Sequence, residues 1–335
     1  MNSLNINARS FSAPKRQRTL LLTLDAFGTL FYPHPPVPEQ YAATAHEFGL
    51  PPATVTPQKL EAAFKDVYRA QCERWPNYGR ADVLYGKYGG PRQWWQEVIQ
   101  ESFARLFTPD RGRPSALGLG DEKFELPPGM VDALLDRFAG DGGYALFKDV
   151  VPFFARMREL KGSTTRKFDR ILLGVISNSD DRVPAVLKAL GMRVGDMRAD
   201  QDLSSIDLPG FEERGQVGDS AAILKSQPDV DVDLVITSYE AGDSKPNRLI
   251  FDVAKRQAQL LAGKYGHKHD SHLMGLDETD DWICVHVGDE YEKDYLAAIR
   301  AGWQGYLIPR ENRQEYSAKT INSLMDLFNE LKMLE

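Results

Sequence analysis

Five short apolar runs constrain this chain more than any other feature: Leu20–Leu24, Ile171–Ser177, Leu234–Thr237, Ile283–Val287 and Gly305–Ile308. Runs this short, with no polar alternation, are what strands buried on both faces look like, and parallel sheets are where such strands occur. Helical patterns follow them at Val183–Leu190, Ile250–Leu261 and Tyr291–Ala301, and Ile321–Leu331 reads as a closing helix. Strand and helix in alternation predict an α/β fold with a doubly wound, Rossmann-like parallel sheet.

The connection between the first two runs is far too long for a simple crossover. It carries no convincing strand, but it does carry four helical segments: Glu39–Phe48, Pro57–Trp75, Pro91–Phe107 and Pro128–Phe138. Pro57, Pro91 and Pro128 stand where proline suits the first turn of a helix. The expected organisation is therefore an α/β core, residues 19–34 and 149–335, with an all-helical cap, residues 35–148, inserted after the first strand. The return to the sheet runs through Asp149 and a helix at Val151–Leu160. Residues 193–233 and 263–281 read as polar surface insertions, and residues 1–18 as a disordered basic tail.

Composition matters mainly for what it excludes. The chain has 335 residues, with 48 acidic against 41 basic side chains and a net charge of −7. That balance argues against a general affinity for nucleic acid or an anionic membrane. Residues 193–233 hold ten acids and four bases, so the acidity is concentrated in one insertion, where a solvated loop is the expectation. The two cysteines, Cys72 and Cys284, supply neither a disulfide framework nor a thiolate zinc site, and they fit a reducing compartment. The longest apolar stretch, Leu20–Tyr32, is interrupted by Asp25 and is too short to span a bilayer. A soluble protein of the cytoplasm or nucleus is expected. The mitochondrion is the alternative, because Arg9, Lys15, Arg16 and Arg18, with several serines and no acid, resemble a transit peptide.

The chemistry sits where the apolar runs end. The first is followed by Asp25-Ala-Phe-Gly-Thr-Leu, the second ends Ser177-Asn178, and the fourth leads into Gly-Asp289-Glu-Tyr-Glu-Lys-Asp294. Before the fourth comes Ser-Lys245-Pro, opening a helix. Open α/β sheets bind ligands at the carboxyl ends of their strands, near the switch in strand order, so these dispersed residues are expected to converge. Asp25, Asp289 and Asp294 would repel one another without protons or a cation. A hard, oxygen-seeking ion such as Mg²⁺ resolves that conflict. Lys245, Ser177 and Asn178 are placed to hold anionic oxygens, and Gly28 and Thr29 to form a tight turn with N–H groups facing the same point. A carboxylate in such surroundings can act as a nucleophile and form an aspartyl-phosphate.

In order and spacing, Asp25-Ala-Phe-Gly-Thr-Leu, Ser177-Asn178, Lys245-Pro246 and Gly288-Asp289 with Asp294 resemble the four motifs of the haloacid dehalogenase-like hydrolase superfamily. The helical insertion resembles that superfamily's type 1 cap, so the likeness covers almost the whole chain. Within the cap, Trp75-Pro-Asn-Tyr78-Gly and Arg92-Gln-Trp94-Trp95 are similar to one subgroup; the aromatic and basic residues between Trp75 and Trp95 read as cap packing, with Tyr78 and Arg92 as candidate substrate-facing residues. The resemblance implies that Asp25 is the nucleophile and that Ser177 and Lys245 hold the transferring phosphoryl group. It also implies that Mg²⁺ is bound by Asp25, the main-chain carbonyl of Phe27, Asp289 and Asp294.

One departure matters. Phosphatases of the superfamily carry a second aspartate two residues after the nucleophile, as general acid and base, and here Phe27 stands in that position. Losing a general acid costs about 10²–10⁴ in rate when the leaving group is poor. The leading expectation is a Mg²⁺-dependent phosphatase acting on a small phosphorylated metabolite with a good leaving group, such as an acyl phosphate. The alternative is a catalytically weak or inactive protein that binds a phospho-ligand or a protein partner. A 2-haloacid dehalogenase is a third reading. It tolerates Phe27 because a halide needs no proton, but it leaves Asp289 without a purpose. The cluster His267-Lys-His269-Asp-Ser-His272 is expected to be a solvated loop, and His286, inside an apolar run, a hydrogen-bonded core residue.

Overall fold

The computed structural model describes residues 17–107, 124–163, 167–199, 208–211, 230–266, 281–310 and 314–332. The histidine cluster at 267–272, most of the basic tail and much of both polar insertions lie outside these residues.

Six strands form one parallel sheet: β1 (Arg18–Leu24), β4 (Arg170–Ser177), β5 (Val194–Met197), β6 (Val232–Thr237), β7 (Asp281–Gly288) and β8 (Gln304–Leu307). β2 (Phe31–Pro33) and β3 (Tyr144–Leu146) pair separately. The main order is β5-β6-β4-β1-β7-β8, so β1 lies between β4 and β7 and the chain winds outward in both directions from it. This is the doubly wound arrangement that the alternating pattern predicts, with its switch point beside β1.

Strand β1 has the middle of the sheet because both its faces are apolar. Leu20, Leu22 and Leu24 are buried in one cluster with Phe153, Phe154 and Met157. Leu21 is buried on the other side with Ile250, Phe251 and Ala254. Each such side chain contributes about 1.5–3 kcal/mol on burial. The core helices include α6 (Val150–Gly162), α7 (Val183–Ala189), α8 (Ser238–Ala241) and α9 (Leu249–Gly266), of which α6 and α9 cover the two faces of β1.

Three features depart from the sequence reading, each for a local reason. Strand β5 lies inside what reads as a surface insertion. It is short, pairs only with β6 across an irregular register, and has the half-exposed pattern of an edge. The connection described above as strand-free carries β2 and β3, three residues each, too short for a periodic signal. They pair antiparallel, Phe31 with Leu146 and Pro33 with Tyr144, so the outgoing and returning chains leave the core as one ribbon. The expected closing helix contributes only a 3₁₀ turn at Leu324–Asp326 and α11 (Leu327–Glu330), and Tyr291–Ala301 opens as a π-helical turn before α10 (Ala297–Arg300).

Beyond the ribbon lie α1 (Val37–Glu47), α2 (Pro57–Arg74), α3 (Pro76–Val83), α4 (Pro91–Phe107) and α5 (Met130–Arg137). Helix α2 begins where Thr56 accepts a hydrogen bond from the Lys59 N–H, with Pro57 in the first turn. Pro128 is not inside α5, because Gly129, at φ +81°, turns the chain before Met130. The helices bury Tyr41, Leu60, Ile99, Phe103 and Leu134 in one cluster and Val67, Tyr88, Trp94 and Val98 in another, both separate from the two sheet clusters. Among the described residues, no helix is long and apolar enough to cross a membrane.

Candidate active site

Asp25 follows β1 directly, and its N–H still donates to the Val287 carbonyl, 2.8 Å away, so the ladder with β7 fixes its position. The chain then turns tightly, with the Phe31 and Leu30 N–H groups donating to the Ala26 carbonyl. Gly28 makes that turn at φ +79°, and a Cβ there would lie 2.5 Å from Asp289 Oδ2. Only glycine combines that backbone with such a close approach. Thr29, next in line, donates to Asp289 Oδ1 at 2.9 Å. Asp289 itself stands after β7, and Asp294 lies one π-helical turn further on. That wide turn folds Asp294 back, so that its Oδ2 accepts the Glu290 N–H at 2.9 Å.

Lys245 closes the cluster from the far side of β4. Its Nζ donates to Asp25 Oδ1 at 2.5 Å, Asp294 Oδ1 at 2.6 Å and the Ile176 carbonyl at 2.9 Å, which uses all three of its protons. Asn178 holds the lysine backbone at both polar ends: its Oδ1 accepts the Lys245 N–H at 2.6 Å, and its Nδ2 donates to the Lys245 carbonyl at 2.7 Å. Ser177 ends β4 and is buried beside them. Asp25, Ser177, Asn178, Lys245, Asp289 and Asp294, with Gly28 and Thr29 beneath, are therefore brought together, although they span the chain from end to end.

The electrostatics are lopsided. Carboxylate oxygens of Asp25, Asp289 and Asp294 lie within 4.8 Å of one another. Asp25 is pushed up to about 7, chiefly by burial, because attraction to Lys245 does not offset burial together with repulsion from Asp294 and Asp289. Asp289 is pushed up to about 6 by burial and by Asp294. Burial acts in the same sense on Asp294, but Lys245 and His286 outweigh it and hold that carboxyl below the usual range. Burial alone would lower Lys245, yet Asp25 and Asp294 hold it above the ordinary lysine range. One ammonium thus faces three carboxylates. Among the described residues the cluster carries more carboxylates than cations, and an all-oxygen donor set of this kind suits a hard divalent cation.

His286 is the residue that sequence reasoning placed without a role. It is fully buried on β7, with Nδ1 2.9 Å from Thr23 Oγ1 and Nε2 3.2 Å from Asp294 Oδ1. Burial lowers its proton affinity, so a neutral ring donates to the Asp294 carboxylate and fixes its orientation. A polar residue at the third-from-last position of an apolar strand was the available signal.

A second feature opens beside the cluster. A cavity of about 290 Å³ lies between the sheet's carboxyl edge and the helices, walled by Phe27, Tyr41, Tyr78, Trp95, Phe138 and Tyr144 and reaching Asn178. Phe27 packs edge-on against Phe31 at 4.6 Å and Tyr144 at 5.7 Å, as part of the wall. Tyr78 lines this space. Arg92 does not: it pairs with Asp132 at 2.8 Å on the outer surface, with 46% of its side chain exposed. The arginine of the cavity is Arg182, bound through two nitrogens to Asp180 at 2.9 and 2.8 Å, with both side chains buried. Trp95 Nε1 also donates to Asp180 at 2.8 Å. Burial would raise Asp180, but Arg182 and Trp95 keep it ionised. Sequence reasoning missed this pair because Asp-Asp-Arg after a strand reads as a solvated turn.

No family model matches the chain. A Saccharomyces cerevisiae protein without an assigned function is 26% identical over 316 residues, covering 92% of this chain and 78% of that protein. The human haloacid dehalogenase-like hydrolase domain-containing protein 3 is 26% identical over 293 residues, covering 88% of this chain and 83% of its own length. Among solved structures, a 2-haloacid dehalogenase from Pseudomonas syringae aligns over 94% of this chain and 98% of its own at 16% identity and a TM-score of 0.48. The resemblance to the haloacid dehalogenase-like superfamily thus holds along nearly the whole chain, and within it the similarity is to haloacid dehalogenase-like hydrolase domain-containing protein 3.

Proposed function

We propose that the protein is a Mg²⁺-dependent phosphohydrolase that works through an aspartyl-phosphate at Asp25. The observation that carries this reading is the charge count, three carboxylates against one lysine whose protons are all committed. Asp25, Asp289 and the Phe27 carbonyl would hold the ion, with Asp294 assisting. When bound, it supplies positive charge beside the phosphoryl oxygens.

The chain's own residues do the rest. A carboxylate oxygen of Asp25 attacks phosphorus, and the bond to the leaving oxygen breaks, with its electron pair remaining on that oxygen. Water then attacks the aspartyl-phosphate phosphorus, breaks its bond to Asp25 and loses a proton to solvent, which restores the carboxylate and releases phosphate. Lys245, held by Asn178, favours the ionised form of Asp25 and aims it, and Ser177 and the Thr29 N–H steady the phosphoryl oxygens, while the Gly28 N–H donates to the Phe31 carbonyl at 2.9 Å and holds the turn.

Phe27 decides which substrates qualify. Its ring cannot donate a proton, so the leaving oxygen must be stable as an anion, as in acyl or aryl phosphates. The helical region would then close over the site as a cap, excluding water and setting specificity. The expected substrate is a small molecule and not a nucleic acid. The test is a panel of acyl, aryl and alkyl phosphates with and without Mg²⁺. Turnover of the first two classes, absent in Asp25→Asn, supports the reading. No turnover of any member above that variant favours the rival, a protein that binds a phospho-ligand or a protein partner without cleaving.

A further inference from the structure

The cavity beside Asp25 says more about the substrate than the catalytic residues do. It has the size, the lining and the charge balance of a site for one kind of group. Its volume of about 290 Å³ is roughly twice the ~150 Å³ that admits benzene, which is room for two fused rings or their equivalent.

The lining is mostly aromatic and aliphatic, with ring faces and edges offered from both sides. Tyr78 meets Trp94 edge-on at 5.2 Å, and Trp94 meets Trp95 at 4.9 Å, so the wall is itself an aromatic cluster. Tyr78 is also held at a cost. Asn77, Tyr78 and Gly79 all take left-handed conformations, at φ of 48°, 62° and 70°. For residues other than glycine each such conformation costs about 1–3 kcal/mol. The turn is pinned by Asn77 Nδ2, which donates to the Ser238 carbonyl of the core at 2.9 Å. The fold accepts that strain, and the result is an aromatic ring facing the cavity.

Charge completes the argument. The charged side chains of the lining are Asp180 and Arg182, and they neutralise each other in a two-point pair. Arg182 also lies 5.0 Å from the Trp95 ring and 4.3 Å from that of Phe211, so its flat faces are covered. Among the described residues, a second phosphate or a carboxylate on the ligand would find no free counter-charge there, and its desolvation would go unrepaid. The polar groups that remain among the described residues are the hydroxyls of Tyr41, Tyr68, Tyr78, Tyr144 and Ser179, dispersed around the wall, and the Asn178 amide, whose two ends are committed to the Lys245 backbone. They can orient a ligand but do not form a continuous polar surface.

We propose that this cavity binds the leaving group of the substrate, and that the group is uncharged, flat and largely apolar, about two rings in size. The substrate class is then an aryl or arylacyl phosphate, and not a sugar phosphate, a nucleotide or a diphosphate. This rests on the hydrolase reading above for its link to catalysis, but the binding claim stands apart from it. The phosphoryl group would sit at Asp25 while the ring system lies against Phe27, which would turn the missing proton donor into a packing surface.

The experiment has two arms. In the first, 2-naphthol and glycerol are titrated into the full chain by calorimetry, with tryptophan fluorescence as a second readout. In the second, 2-naphthyl phosphate, acetyl phosphate and glycerol phosphate are compared with Mg²⁺ present. Leu134→Phe, which fills the cavity, and Tyr78→Ala, which removes its wall, are the variants, with thermal melts to check folding. The expected result is binding of 2-naphthol but not glycerol, weakened about tenfold or more in at least one folded variant. 2-Naphthyl phosphate should lose kcat/KM in parallel, by a larger factor than acetyl phosphate, whose leaving group is too small to fill the cavity. If wild-type protein binds 2-naphthol no better than glycerol, the inference is overturned, even where phosphates turn over through Asp25. Binding of 2-naphthol that both folded variants leave unchanged overturns it too, because the ligand then sits elsewhere. If 2-naphthol binds in the cavity and no phosphate is cleaved above Asp25→Asn, the cavity inference stands and the hydrolase reading falls.

Discussion

The strand-end cluster and the aromatic cavity are neighbours that solve opposite problems. In the first, three carboxylates surround one lysine, and Asp25 and Asp289 are pushed up to about 7 and 6, chiefly by burial and further by their negative neighbours. In the second, one carboxylate meets one guanidinium in a two-point pair, and Asp180 stays ionised although it is buried. The first is built to be completed by something positive. The second has its charges paired already and leaves a mostly apolar space to fill. A charged site with a deficit beside a neutral site with a void is a division of labour between chemistry and recognition.

The sharpest way to break this contrast is to remove the nucleophile. Asp25→Asn should reduce turnover of a responsive aryl or acyl phosphate by about 10⁴-fold or more, while its thermal midpoint stays level or rises, because a burdened carboxyl has been made neutral. Equal turnover by the variant would move the chemistry elsewhere.

Removing the cation from each region comes next. Lys245→Met and Arg182→Met each leave a buried carboxylate without its partner, and chemical denaturation should register a loss of about 3–5 kcal/mol for either. The regions then differ in rescue. Mg²⁺ should recover part of the loss in Lys245→Met and none in Arg182→Met, because only the first leaves a cluster of carboxylate donors. Equal rescue, or none in both, would erase the distinction.

Phe27→Asp joins the two regions by placing a proton donor in the cavity wall. Alkyl phosphates should gain up to about 10²-fold relative to aryl phosphates in kcat/KM, with some loss of stability from breaking the contacts with Phe31 and Tyr144. An unchanged preference between leaving groups would separate Phe27 from proton transfer.

The smallest effect concerns pH. Asp25 and Asp289 titrate higher in the folded chain than the ordinary value of about 3.9, so between about pH 4 and 7 these two sites hold more protons folded than unfolded, an excess that the neutral buried His286 offsets in part. Metal-free protein should therefore lose stability as pH rises through that window and level off above it. Mg²⁺ competes with those protons, so its stabilisation should be larger at pH 8 than at pH 5, about 2.7 kcal/mol at a hundredfold excess over Kd. Melting curves at the two pH values, with and without the ion, measure it.

The two regions also differ in how far the sequence announced them. Asp25, Ser177, Lys245 and Asp289 follow or precede apolar runs, so the strand pattern that reveals the sheet also locates these residues at its carboxyl edge. The doubly wound order follows from the same runs. The cavity obeys no such rule. Arg182 and Asp180 sit in a polar turn, and their role depends on Trp95, a long way off in sequence, closing over them. Arg92 and Trp95 lie three residues apart on one helix, yet one faces water and the other the void. A motif names such residues but does not give the rotation of the helix that carries them. Strands β2, β3 and β5 escaped for a simpler reason: three or four residues carry too little periodicity to distinguish a strand from a loop.

The most direct test of the central claim is to look for the covalent intermediate. The protein would be mixed with Mg²⁺ and an acyl phosphate, quenched in acid within the first turnover, digested and examined by mass spectrometry. The account predicts one added phosphoryl group on the peptide carrying Asp25, lost on treatment with hydroxylamine and absent from Asp25→Asn. Turnover that continues with no phosphoryl group on that peptide, or with one on another residue, would contradict it.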